Sequence, residues 1–319
     1  MDSSDTFPIG IHDVRLRREL IAAGWSDRDI ARAVGGGLIH RLRYGAYVDS
    51  ELWAMLDSAR DRHRARARAV LKTAHPSSVL THQSALAEHI DSLWRLGLDE
   101  VALTRTDGVA GRRESGIVHH SGSLHLPDIT VRHGVPVSAP ARTAVEILTT
   151  TDAELGFCLL NALLHAGRTS LDEVRSVAAR TEHWPNTLGV RIALGLASPK
   201  LSSIAESRTM HLLYRESIPL PEPQVDVHDA LGRLLGCVDF LWPKHRVFLE
   251  FDGRLKYLLF RRPGESLGDY LMREKKREER ICQETGWICI RIGWSDLENP
   301  RATAQRIRAI LAKRAPTAA

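Results

Sequence analysis

The sequence predicts an α+β chain of several domains, and three observations carry that expectation. At 319 residues it is longer than one average domain. Its apolar period changes along the chain, with helix-spaced stripes giving way to short alternating runs. Glycine and proline clusters punctuate those runs, among them Gly35-Gly36-Gly37 and Pro219-Leu220-Pro221-Glu222-Pro223. The expected divisions are 1–50, a mixed middle region at 51–200 that is mostly helical in its second half, and 201–319.

Composition narrows the function classes. No window approaches the roughly 20 continuous apolar residues that cross a bilayer, so no membrane partner is expected. The acidic start MDSSDTFPIG has no apolar signal core, and a cytoplasmic location is expected. The four cysteines, Cys158, Cys237, Cys282 and Cys289, form no CxxC pair, which argues against a zinc knuckle or a redox motif. Cys237 and Cys289 lie in apolar runs and read as small buried hydrophobes. Net charge is +5, which permits a polyanionic partner without demanding one.

Residues 12–48 read as one small unit. Val14, Leu16, Leu20 and Ile21 give a helical stripe, and Gly24 closes it. Ser26 opens a second helix with Asp27 and Asp29 in its first turn, and Ile30, Ala33 and Val34 form its inner face. LIHRLRYGAYV then alternates as a strand, turning at Gly45. Two helices followed by a basic hairpin is the layout of a winged helix-turn-helix, with Arg41 and Arg43 placed to reach phosphates. The alternative is a cap packing on the next domain.

One long helix is expected over 51–74. Leu52, Met55, Leu56, Ala59, His63, Ala67, Val70 and Leu71 mark its buried stripe. Arg62, Arg64, Arg66 and Arg68 are either a solvated face or a phosphate-contacting one. Residues 77–150 read as a helix near 78–90, several short strands and a helix from Pro140. His119, His120, His125 and His133 fall in strand and turn segments with no spacing that fixes a tetrahedral metal set. Residues 152–197 read as two or three helices without a chemical signature.

The strongest chemical pattern lies in 201–319. A helix runs from Ser202 or Ser203 to about Tyr214, followed by strands at Gln224–His228, Leu234–Trp242 and Arg246–Asp252. Pairing Asp239 opposite Glu250 puts Val238, Phe240, Trp242, Val247, Leu249 and Phe251 on one face and Asp239, Glu250 and Asp252 on the other. A slip of one residue would set the acids against apolar partners, so the pattern selects this register. Three gathered carboxylates suit Mg²⁺ or Mn²⁺, which takes a few carboxylates, water and a phosphate oxygen. The alternative is a solvated sheet face ending in an Asp252-Gly253 turn. Ser203-x-x-Glu206 also reads as a capping box. A helix at 270–285 carries Arg273, Lys275, Lys276, Arg277 and Arg280 among Glu274, Glu278 and Glu279, a strand follows through Ile288, Ile290 and Ile292, and a last helix spans about 300–313.

Two resemblances extend these readings. S-x-x-E-S-R at Ser203–Arg208, V-D-F at Val238–Phe240, E-F-D-G at Glu250–Gly253 and G-W-x-x-x-R-I at Gly286–Ile292 together resemble the Vsr-like branch of the PD-(D/E)XK nuclease superfamily, over roughly Ser202–Leu311. That resemblance implies a restriction-endonuclease-like mixed sheet flanked by helices and a metal-dependent DNA endonuclease. Asp239 and Glu250 would be metal ligands, Asp252 would help them, and Glu206 would be an accessory acid. Lys256 and the cations Lys275, Lys276, Arg277 and Arg280 would meet DNA phosphates. The chain departs from the family in carrying Asp252 where the E-x-K pattern has lysine, and Lys256 where many relatives carry histidine. The spacing L-x-x-x-G-W-S-x-x-x-I-x-x-x-V-x-x-G-x-L-x-x-L-R-x-G-x-Y-V over Leu20–Val48, with Thr81-His82-Gln83-Ser84-Ala85 and Ala141-Arg142-Thr143-Ala144, resembles AbiEi-type antitoxins. That implies operator binding, autorepression and a cognate toxin partner. The leading expectation is therefore a DNA-binding protein with an endonuclease-like domain. Its rival is an antitoxin-like repressor whose nuclease-like domain does not cut.

Overall fold

The computed structural model describes residues 7–108, 110–252 and 264–314. Among these the chain is α+β, with three sheets. It divides into two compact units, Met1–Leu194 and Gly195–Ala319.

The first unit opens with β1 (Arg15–Leu16), α1 (Arg17–Ala22), α2 (Asp27–Gly35), β2 (Ile39–Arg43) and β3 (Ala46–Asp49). β3 is the middle strand, antiparallel to both β1 and β2. Ser26 caps α2 as its sequence requires: its hydroxyl accepts from the Asp29 amide at 3.2 Å, and the Asp29 carboxylate accepts from the Ser26 amide at 3.0 Å. Leu20, Ile30, Ala33, Ile39 and Tyr47 pack together beneath the helices. Three expectations for this unit need correction. The first helix begins only at Arg17, so Val14 and Leu16 lie ahead of it, and Ile21 is exposed. Val34 also faces solvent. β2 does not alternate strictly, because the pairing skips between Arg41, opposite Tyr47, and Arg43, opposite Ala46. The extra residue lets both Ile39 and Leu42 reach the core, three apart instead of two.

The expected helix over 51–74 is two helices, α3 (Ser50–Ala54) and α4 (Ala59–Leu71). Ser58 starts the second by accepting from the Asp61 amide at 3.0 Å, and Met55 between them is exposed. Next come β4 (Ser78–Leu80), α5 (His82–His89), β5 (Val101–Arg105), β6 (Arg112–Glu114), β7 (Ile117–His120), β8 (Ile129–Arg132) and β9 (Val135–Ser138). The six strands form one mixed sheet in the order β6-β7-β5-β4-β9-β8. α6 (Pro140–Thr150) begins with proline in its first turn, where the missing amide costs nothing. α7 (Ala153–His165), α8 (Leu171–Arg180) and α9 (Thr187–Leu196) follow, and α7 buries Leu155, Phe157, Leu159, Leu160, Leu163 and Leu164.

The second unit holds α10 (Ile204–Arg215), then β10 (Glu222–His228), β11 (Leu234–Trp242) and β12 (Val247–Phe251). α11 (Leu267–Thr285), β13 (Ile288–Ile292), α12 (Trp294–Glu298) and α13 (Pro300–Lys313) complete it. The sheet order is β10-β11-β12-β13, antiparallel except for the parallel pair β12·β13. Phe240 pairs with Leu249 and Trp242 with Val247, which is the register the apolar pattern selects. Arg246 belongs to the turn instead of the strand, with φ of 54° in the left-handed region. The other sheet face is not polar throughout. Leu241 and Phe248 lie opposite each other and belong to one apolar cluster with Ile281 of α11 and Leu235.

Candidate functional site

The predicted acids of the second unit gather around the ends of β11 and β12. One step beyond the Phe240–Leu249 pair, the same register sets Asp239 opposite Glu250. Both are almost fully buried, at 6% and 8% exposure. Asp239 Oδ2 accepts from the Phe251 amide at 2.8 Å, and Oδ1 accepts from Gln224 Nε2 at 3.3 Å. The same Gln224 amide donates to Glu206 Oε2 at 3.1 Å, so one side chain links the helical acid to the strand acid. Gln224 adopts φ of 49°, a left-handed conformation that costs a side-chain-bearing residue about 1 kcal/mol. Glu206 also accepts from the Ser202 amide at 3.0 Å and from the Ser203 hydroxyl at 2.9 Å, while Ser203 Oγ accepts from the Glu206 amide at 3.2 Å. It therefore also closes the start of α10.

Glu250 meets a cation, and that cation is a side chain. Arg277 of α11 places Nη2 3.0 Å from Glu250 Oε1, with Nε 3.0 Å from Glu274 and Nη1 2.7 Å from the Cys237 carbonyl. The two carboxylates raise the Arg277 pKa further above its ordinary value, against the opposing effect of burial. Gly236 makes room: a Cβ there would stand 3.1 Å from Arg277 Cδ. Asp252 is part-exposed and 3.5 Å from Arg291, which is paired at closer range with Glu278. Each of these carboxylates has a protein partner among the described residues. Among the described residues no group of three acids, histidines or cysteines is arranged to hold a metal ion. Lys256 lies outside the described residues.

The basic residues separate into free and engaged. Arg277 is engaged with Glu250. Lys275 pairs with Glu279 at 3.8 Å, and Lys276 and Arg280 are exposed. On α4 a correction is needed. Arg68 is fully buried and Arg64 nearly so, because Glu88 of α5 lies between them: Arg68 Nη1 is 2.7 Å from Oε1 and Arg64 Nε 3.0 Å from Oε2. His133 adds a contact at 2.9 Å, and the Phe7 ring covers both guanidinium groups at about 4 Å. These charges depress the Glu88 carboxyl far below its usual range despite its burial. Arg66 is half-buried, and only Arg62 of the four is exposed, beside Trp53. Arg41 on the hairpin is exposed and Arg43 half-buried.

Sequence reasoning missed Glu88 and a second buried network in the first unit. Glu146 of α6 accepts from the His82 amide at 3.0 Å, the Ser138 hydroxyl at 2.9 Å and Arg142 Nε at 2.9 Å. The rings of His82 and His120 stack at 3.5 Å. The signal was present: Thr81–Ala85 and Ala141–Ala144 are the stretches singled out in the sequence, and they meet here. Cys237 is exposed, and Cys289 only half-buried, which corrects their reading as buried hydrophobes. Partial burial, then the carboxylate of Asp226 opposite it on β10, pushes the Cys237 thiol up to about 11.

No helix among the described residues is long and apolar enough to cross a membrane. Comparison with known proteins gives two kinds of match. Two uncharacterized proteins, from two strains of Mycobacterium tuberculosis, are each 28% identical to this chain over 202 residues, covering 63% of this chain and 70% of theirs. Residues 92–192 match the family model of the AbiEi antitoxin C-terminal domain, a stretch running from ahead of β5 into α9.

Proposed function

We propose that the protein is an antitoxin-like, DNA-binding repressor whose second unit has a nuclease-like sheet and does not cut. The observation that carries this reading is the AbiEi antitoxin match at 92–192, preceded in the same chain by two short helices, the second capped by Ser26, and a basic hairpin on a β1-β3-β2 sheet. In a winged helix-turn-helix the second helix enters the major groove and the hairpin follows the backbone. Here α2 and the β2–β3 hairpin take those roles, and Arg41, Arg43 and Arg62 supply phosphate contacts. The family match also supports a cognate toxin as protein partner. A gel shift on the DNA upstream of this reading frame tests the proposal. Binding that weakens steeply with salt, and weakens again in Arg41→Ala, is expected. No shift at low salt would remove it.

A second reading, phosphodiester hydrolysis with Mg²⁺ or Mn²⁺, is favoured by one observation. Asp239 and Glu250 each lie one residue beyond the last β11–β12 pair, Phe240 with Leu249, and Glu206 is joined to Asp239 through Gln224. It requires Arg277 to leave Glu250. Incubating supercoiled plasmid with either cation, for the wild type and Asp239→Ala, separates the two readings.

A further inference from the structure

A small polar cavity of about 130 Å³ lies in the first unit, where the β2 hairpin faces the six-stranded sheet. The sheet pairing explains its lining. Ser78 of β4 is opposite Arg105 of β5, Leu103 of β5 is opposite His119 of β7, and His119 is opposite Arg112 of β6. Opposed residues share a face, so this row of side chains points to one side. Arg43 reaches the same space from β2.

Two features of the cavity are incomplete without a ligand. The Ser78 hydroxyl is buried and has no hydrogen-bond partner among the described residues, a condition that native proteins rarely tolerate. The charge is also unbalanced. Arg105 is paired with Asp107, and Arg112 Nε with Glu114 at 2.5 Å, whereas Arg43 makes no ion pair among the described residues. His119 stands 3.7 Å from Glu114 and adds a ring nitrogen. Glu114 also lines the cavity and is offset by Arg112, so one surplus guanidinium, two paired ones and a buried hydroxyl are set for a tetrahedral oxyanion. The volume suits one phosphate group with a few waters and is too small for a nucleoside.

We propose that this cavity binds a phosphate group, with Arg43 and the Ser78 hydroxyl as its principal donors and Arg105 and Arg112 at its rim. The phosphate comes either from a free phosphomonoester or from a nucleic-acid backbone. Because Arg43 sits on the hairpin, occupancy would fix that hairpin against the larger sheet. The proposal does not depend on the repressor reading.

Calorimetric titration of the full chain with inorganic phosphate, at ionic strength held constant with potassium chloride, tests it. Saturable one-to-one binding is expected, at least fivefold weaker in Arg43→Gln and in Ser78→Ala. Without phosphate, Ser78→Ala should unfold at the wild-type temperature or above it, since the substitution removes an unsatisfied group. Absence of saturable heat, or equal affinity in wild type and both variants, overturns the proposal. Competition with a mixed-sequence 30-base-pair duplex distinguishes the sources. Displacement of the duplex by phosphate beyond the chloride control assigns the cavity to the backbone, and saturable phosphate binding without displacement assigns it to a free phosphomonoester.

Discussion

Arg277 reaches from α11 to Glu250 on β12, its Nη2 3.0 Å from Oε1, and balances the charge of that largely buried carboxylate. Both partners are largely removed from water, so the pair matters more through what its loss leaves behind than through its own net worth.

Arg277→Ala should therefore destabilise the second unit. Glu250 keeps its burial and loses the Arg277 guanidinium, a cost of about 2 kcal/mol. Urea unfolding followed by tryptophan fluorescence reads this directly. A change under about 0.5 kcal/mol would show that the pair is incidental.

Asp239→Ala should cost a similar amount, about 1–3 kcal/mol, by leaving the buried Phe251 amide without its acceptor. Asp239→Asn retains an acceptor oxygen and should lose less. Equal losses in the two variants would mean that the hydrogen bond to Phe251 is not what holds the strand ends.

Acid sensitivity should begin well above the carboxylate range. Burial lowers His63 to about 4 and His82 to about 3, from an ordinary value of 6.5. Below pH 6.5 the unfolded chain takes up these protons and the folded one does not, so stability is full above that pH and falls toward pH 4. Each buried histidine should withdraw about 1–2 kcal/mol between pH 7 and 5. His63→Gln should flatten that slope. A stability flat across this window would contradict the buried, neutral assignment.

Arg62→Ala and Arg68→Ala should separate surface from core. The first removes an exposed cation and should lower DNA affinity modestly, with the salt slope reduced by about one. The second leaves Glu88 short of a partner inside the first unit, and should lower the unfolding temperature whatever the DNA. Equal stability in both variants would overturn this division.

What the sequence made legible follows from how local each signal is. Ser26 with Asp29 and Ser203 with Glu206 declare helix starts within four residues, and both caps form. The β11–β12 register was readable because Phe240, Trp242, Val247 and Leu249 cannot face water together. What stayed hidden depends on partners far along the chain. Arg64 and Arg68 look like a basic surface until Glu88, 20 residues from Arg68, is brought between them. Arg277 looks like one more exposed cation until α11 folds over Gly236 and Glu250. Leu42 breaks the alternation of β2 through a bulge that no local spacing announces.

The most direct test of the account pairs a gel shift with a cleavage assay on the same supercoiled plasmid, with Mg²⁺ or Mn²⁺ present throughout. A salt-sensitive shift that weakens in Arg41→Ala is expected, with plasmid that stays supercoiled with wild type and Asp239→Ala alike. Nicked or linear plasmid with the wild type, absent with Asp239→Ala, would contradict it.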